Sequence, residues 1–169
     1  TNTPYILPVD CDDTLSNNAI FEIEKSIKKH NFPDMSLLDL KIEDENGVFQ
    51  NFVYFCPDEI LPPSKCLEFS LGCWKVHGLA CTKKEVFIKS LNFYNQVNPS
   101  DTNYWNNDEI ITRLNFFFSN LIVRNEGIYY YHDNPQSSTK SINKRRYLMC
   151  RNAIVLYNFF GQNMGDISL

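Results

Sequence analysis

Apolar positions recur along the chain with two periods, and each period predicts an element. Over 18–30, Ile20, Ile23 and Ile27 fall at helical spacing while Glu22, Glu24, Lys25, Lys28 and Lys29 take the other face. Ser16 and Asn17 can cap this helix and Pro33 ends it. Residues 37–42 and 48–55 read as strands joined across Asp44-Glu45-Asn46-Gly47, because Asn-Gly tolerates the positive φ of a tight turn. Thr82-Lys83-Lys84-Glu85 matches a capping box and predicts a helix over 83–96, with Val86, Phe87, Leu91 and Tyr94 inward. Ile110, Leu114, Phe117 and Leu121, with Ile111, Phe118 and Ile122 beside them, predict a helix over 108–124 that Gly127 would end with a left-handed cap. A last helix is expected over 141–160, ended by Gly161, with Met149, Ala153, Leu156 and Phe160 inward. Runs 5–9 and 128–132 are strand-like, 133–140 is a polar loop, and the tail 162–169 is expected to fray. The sum is about four helices and a β-hairpin: a helix-dominated α+β fold in one globular domain over 1–169.

Composition narrows the class. The 169 residues are 43% hydrophobic and 21% charged, enough for a core and too apolar for whole-chain disorder. A net charge of -4 argues against a nucleic-acid binder driven by bulk charge. No apolar run reaches the roughly 18 residues of a membrane span. Cys11, Cys56, Cys66, Cys73, Cys81 and Cys150 form an even set without a CxxC pair, which predicts a three-disulfide framework and an irregular, cross-linked segment over 66–81. Disulfides imply an oxidising compartment, so a secreted, extracellular chain is expected. The start at Thr1 rather than Met fits a removed upstream segment. Against that, the chain has no N-x-S/T acceptor, since Pro99 blocks Asn98-Pro99-Ser100.

Four features could carry chemistry. Asp10-Cys11-Asp12-Asp13-Thr14-Leu15 follows an apolar run and resembles the first motif of the haloacid dehalogenase-type phosphatases. That resemblance implies Mg2+, with Asp10 as nucleophile, Asp12 as general acid/base and Thr14 as a phosphate contact. The plainer reading is a solvated turn that caps the first helix. Cys66, Cys73, His77 and Cys81 supply the ligand number of a structural zinc, at spacings foreign to common zinc modules, and disulfides account for more of the cysteines. Lys140, Lys144, Arg145, Arg146 and Arg151 gather cations in an acidic chain, as a patch for an anionic partner or as the solvated face of the last helix. Tyr129 and Tyr131 share one face of a strand, Tyr130 and His132 the other, and Tyr104-Trp105 is a second aromatic cluster. Tyr129 and Tyr131 are candidate binding residues on a face open to a partner, with core packing the plainer reading. The sequence sets no histidine beside a serine or free thiol, so a triad hydrolase has no anchor in it. The expectation is therefore a secreted, disulfide-bonded effector or virulence protein. It would need no cofactor and would bind a protein or anionic macromolecule of a host without catalysis. The phosphatase is the alternative.

Overall fold

The computed structural model describes residues 2–99, 102, 104–135 and 144–163. Among them, short strands β1 (Tyr5–Ile6) and β2 (Thr14–Leu15) precede helix α1 (Ala19–Lys29). Then come β3 (Met35–Glu43), β4 (Phe49–Asn51), β5 (Ile60–Leu61), α2 (Pro63–Gly72), β6 (Ala80–Lys83) and α3 (Lys84–Val97). Helix α4 (Asn107–Phe118), β7 (Ile122–Tyr131), a 3-10 turn (Lys144–Leu148) and α5 (Met149–Asn163) complete the order.

The helix-dominated α+β expectation is corrected. The seven strands form one curled sheet of order β1-β6-β3-β7-β2, with β4 on β3 and β5 on β7, in a mixed α/β domain with five helices. β3 and β7 run parallel at its centre, and the other pairs are antiparallel. The β3–β4 hairpin stands where Asn46-Gly47 predicts it, with Gly47 at φ 77°. Helices α1 and α3 also stand close to their expected bounds.

Period-two alternation divides β3 between two cores. Met35 and Leu37 pack with Leu61, Leu67, Ile110, Leu114, Phe116 and the α5 residues Leu156, Phe159 and Phe160. Leu38 and Leu40 pack on the opposite side with Ala19, Ile23 and Tyr129. Helix α1 therefore turns Ala19, Ile23 and Ser26 inward and leaves Ile20 exposed, a rotation from the expected face.

The expected 108–124 helix divides in two. The Asp34 carboxylate accepts the N–H groups of Asn120 (2.7 Å) and Leu121 (3.2 Å), and Asp34 N–H donates to Leu121 O. These bonds take the chain out of α4 and into β7 beside β3. Gly127 is not a helix cap. It lies in a bulge where β7 carries extra residues against β3, and a Cβ there would sit 3.0 Å from Ala19 Cα.

The disulfide framework is corrected as well. Cys11, Cys73 and Cys150 are exposed, Cys56 is half-buried, and Cys66 and Cys81 are buried, all unpaired. Cys66 lies in one core and Cys81 in the other, so the sheet separates them. The segment expected to be irregular and cross-linked holds the greater part of α2 and the start of β6 instead. Cohesion comes from two apolar cores, and nothing supports the secreted, extracellular, effector or virulence reading that rested on the bridges. Among the described residues no helix is long and apolar enough to cross a membrane.

Candidate functional site

The acidic motif forms the turn between β1 and β2, closed by Asp13 N–H donating to Asp10 O at 3.1 Å. β2 lies antiparallel to the end of β7, pairing Thr14 with Tyr130. This turn therefore meets the carboxyl ends of the two parallel strands, where open α/β sheets place their ligands. Tyr129 hydroxyl donates to Asp13 Oδ2 (2.8 Å) and accepts from Asp10 N–H (3.1 Å). The other Asp13 oxygen accepts His132 N–H at 2.9 Å. Across the corner, Thr14 Oγ1 lies 2.9 Å from His132 Nε2, and His132 Nδ1 lies 3.0 Å from Glu43 Oε2. Asp133 N–H donates to the same Glu43 oxygen at 3.1 Å. The Phe49 ring meets the imidazole edge-to-face with centroids 5.3 Å apart.

The electrostatics of this corner are negative. Burial raises the Asp10 pKa, and the carboxylates of Asp13, Asp108 and Asp12 add to it. Asp12 goes the other way, because the Asn134 amide donates to its carboxylate at 2.8 Å. The phosphatase arrangement does not fit these residues. Asp12 is engaged by Asn134 and Thr14 by His132, and the motif follows a two-residue antiparallel strand at the sheet edge. No metal-binding group of three or more His, Cys, Asp or Glu occurs among the described residues. The Mg2+ implied by the resemblance therefore has no set of converging ligands here.

The zinc grouping of Cys66, Cys73, His77 and Cys81 does not assemble either. Burial pushes the thiol pKa of Cys66 to about 12 and of Cys81 to about 11, so neither is a ready thiolate. His77 Nδ1 accepts Leu79 N–H, its Nε2 contacts the Tyr54 hydroxyl, and that hydroxyl donates to Leu38 O. Burial, with the Arg124 charge adding, lowers the His77 pKa to about 3. It is a neutral core histidine.

The C-terminal helix has two faces. Asn152, Leu156, Phe159 and Phe160 are buried, with Phe159 against Phe93 (centroids 4.4 Å) and Phe117 (4.9 Å). Of the expected inward residues, Leu156 and Phe160 are buried and Ala153 is exposed. The opposite face presents Tyr147 (71% exposed), Ile154 (55%) and Tyr157 (75%), with Arg146, Cys150 and Arg151 among them. Lys144 and Arg145 open the 3-10 turn. Lys140 lies outside the described residues.

Tyr129 and Tyr131 separate. Tyr129 is fully buried with its hydroxyl engaged, so it offers no contact surface, whereas Tyr131 is exposed. Sequence reading also missed a cleft of about 280 Å³ between α1 and the Pro57–Glu59 stretch. Its charges are paired internally, Arg124 with Asp39, Lys29 with Glu59, and Lys25 with Glu22 and Glu126. The Thr14–His132–Glu43 alignment was missed too, because residues 118 and 89 positions apart give no spacing signal. No protein-family model matches the chain, and no curated protein is similar to it.

Proposed function

We propose that the chain works by binding an acidic protein partner through the outer face of the 3-10 turn and α5. The observation that carries this reading is the stripe of Tyr147 in the 3-10 turn with Ile154 and Tyr157 on α5, exposed where the other face of α5 is already buried. Exposed aromatic residues interleaved with arginine have the composition of interface anchors. Charge chooses the partner. Residues 144–163 contain Lys144, Arg145, Arg146 and Arg151 and neither Asp nor Glu, in a chain of net charge -4. An acidic surface with apolar sockets complements that stripe in both respects. The rest of the chain is more acidic than the whole, which repels an extended polyanion such as nucleic acid while a compact acidic patch on a protein avoids the conflict.

The test is fluorescence anisotropy with a glutamate–tyrosine copolymer as the acidic, aromatic probe. Binding is expected to weaken at least about tenfold in Arg146→Glu/Arg151→Glu, with salt screening the remainder. Tyr157→Ala should lower affinity on the order of 30-fold, the ~2 kcal/mol of an anchor residue. Unchanged binding in both variants, or tighter binding to duplex DNA or to anionic vesicles, would overturn the reading.

A further inference from the structure

The corner at the ends of β3 and β7 aligns a hydroxyl, an imidazole and a carboxylate, independently of the α5 face. We infer that Thr14, His132 and Glu43 form an acyl-transfer relay in which Thr14 Oγ1 is the nucleophile for small esters with a cationic leaving group.

One placement of the protons satisfies every hydrogen bond in the neutral ring. Glu43 Oε2 also accepts Asp133 N–H, so it serves as an acceptor and His132 Nδ1–H donates to it. With Nδ1 protonated, Nε2 is the lone-pair nitrogen, and the Thr14 hydroxyl donates to it across 2.9 Å. The ring cannot readily turn away. Its backbone N–H is held by Asp13 and its edge meets Phe49. This order of hydroxyl, base and orienting acid is the triad logic of nucleophilic catalysis, recognised by geometry and not by chain order. Thr14 is exposed on an edge strand, so an ester can approach Oγ1 from solvent.

The chemistry balances without a cofactor. Thr14 Oγ1 attacks the ester carbonyl carbon while its proton moves to His132 Nε2. The C–O bond to the leaving alcohol then breaks, and the imidazolium returns that proton to the departing oxygen, leaving acyl-Thr14. A water next gives its proton to Nε2 and attacks the acyl carbon, and Thr14 Oγ1 leaves and is reprotonated. The products are one carboxylic acid and one alcohol per ester and water consumed.

The substrate class follows from the field. Asp10, Asp12 and Asp13 precede Thr14 in the same turn, Asp13 binds the His132 N–H, and Asp13, Asp108 and Asp12 all act on Asp10, so this corner concentrates cations and repels anions. General-base assistance is worth on the order of 10²–10⁴-fold, so activated esters, whose leaving groups need least help, are the suitable probes.

The experiment incubates the whole chain with acetylcholine and with its uncharged isostere 3,3-dimethylbutyl acetate, follows release of the alcohol, and locates acetyl groups by peptide mass mapping. Acetylation is expected at Thr14, faster for the cationic ester. It should persist in Thr14→Ser, vanish in Thr14→Val, and slow by about 100-fold or more in His132→Gln. Glu43 is a positioning residue, so Glu43→Gln should slow acylation and alter the His132 ring nitrogen signals by NMR, with Glu43→Asp restoring part of both. Thermal melting of each variant separates loss of the relay from loss of fold. A wild-type chain with no acyl group on Thr14 and no ester hydrolysis above the uncatalysed rate, or labelling and hydrolysis unaffected in a folded His132→Gln, overturns the relay. Equal rates for the two esters overturn the cationic substrate class.

Discussion

The strand-end corner and the outer face of α5 are both polar surfaces, and they are built in opposite ways. In the corner, groups from three distant segments satisfy one another: Thr14 with His132, His132 with Glu43, Asp13 with Tyr129 and His132. Such a cluster holds a geometry, which is what a proton relay needs. The α5 face comes from one continuous segment, and its large side chains Tyr147, Ile154 and Tyr157 stand in solvent. Such a face holds little geometry but offers area and charge, which is what docking needs. Internal satisfaction and outward exposure thus separate a place suited to chemistry from one suited to recognition.

The sharpest way to break the comparison is to detach α5. Phe159→Ala removes a buried ring that meets Phe93, Phe117, Phe118 and Phe160, and should cost about 3–5 kcal/mol in denaturant unfolding. Loss of the copolymer binding should accompany it while the Thr14–His132–Glu43 corner persists. An equal loss of both regions would show them to be one cooperative unit.

Tyr54→Phe comes next. It removes the hydroxyl that meets His77 Nε2 and donates to Leu38 O, and should cost about 1–3 kcal/mol, read by the same unfolding curves. Gly127→Ala should cost a similar ~1–3 kcal/mol, because its Cβ meets Asn125 Oδ1 at 2.8 Å and Ala19 at 3.0–3.1 Å beneath α1.

A pH series extends this to the core histidine. The folded His77 pKa is depressed from 6.5 to about 3, so the unfolded chain binds a proton that the folded chain refuses. Its contribution is whole above pH 6.5 and is lost as pH falls from there toward 3, at up to about 1.4 kcal/mol per pH unit. His77→Leu should flatten that part of the profile, and an unchanged slope would assign it elsewhere. Smallest on stability is Tyr157→Ala, expected within about 0.5 kcal/mol in the same assay that registers Phe159→Ala strongly.

Local signals were legible and non-local ones were not. Helix α1, the Asn46-Gly47 turn and the basic run of Lys144, Arg145 and Arg146 can be read within a few residues of chain. The sheet could not be read, because β1, β2 and β5 are two residues each and acquire strand geometry only from their partners. β7 was hidden behind α4. Apolar residues continue from Leu114 through Val123, and the break comes from Asp34, far away in sequence. The even cysteine count misled for a related reason, since parity carries no geometry and the sheet keeps Cys66 and Cys81 on opposite sides. At the site level, the cations on α5 were visible in the sequence, whereas the partner of His132 was not.

The most direct measurement of the central claim is hydrogen exchange of the whole chain, with and without the glutamate–tyrosine copolymer. Slowed exchange confined to the 3-10 turn and α5, reversed by Arg146→Glu/Arg151→Glu, is the expected result. Slowing at α1 or at the β3–β7 strand ends, with α5 unaffected, would contradict it.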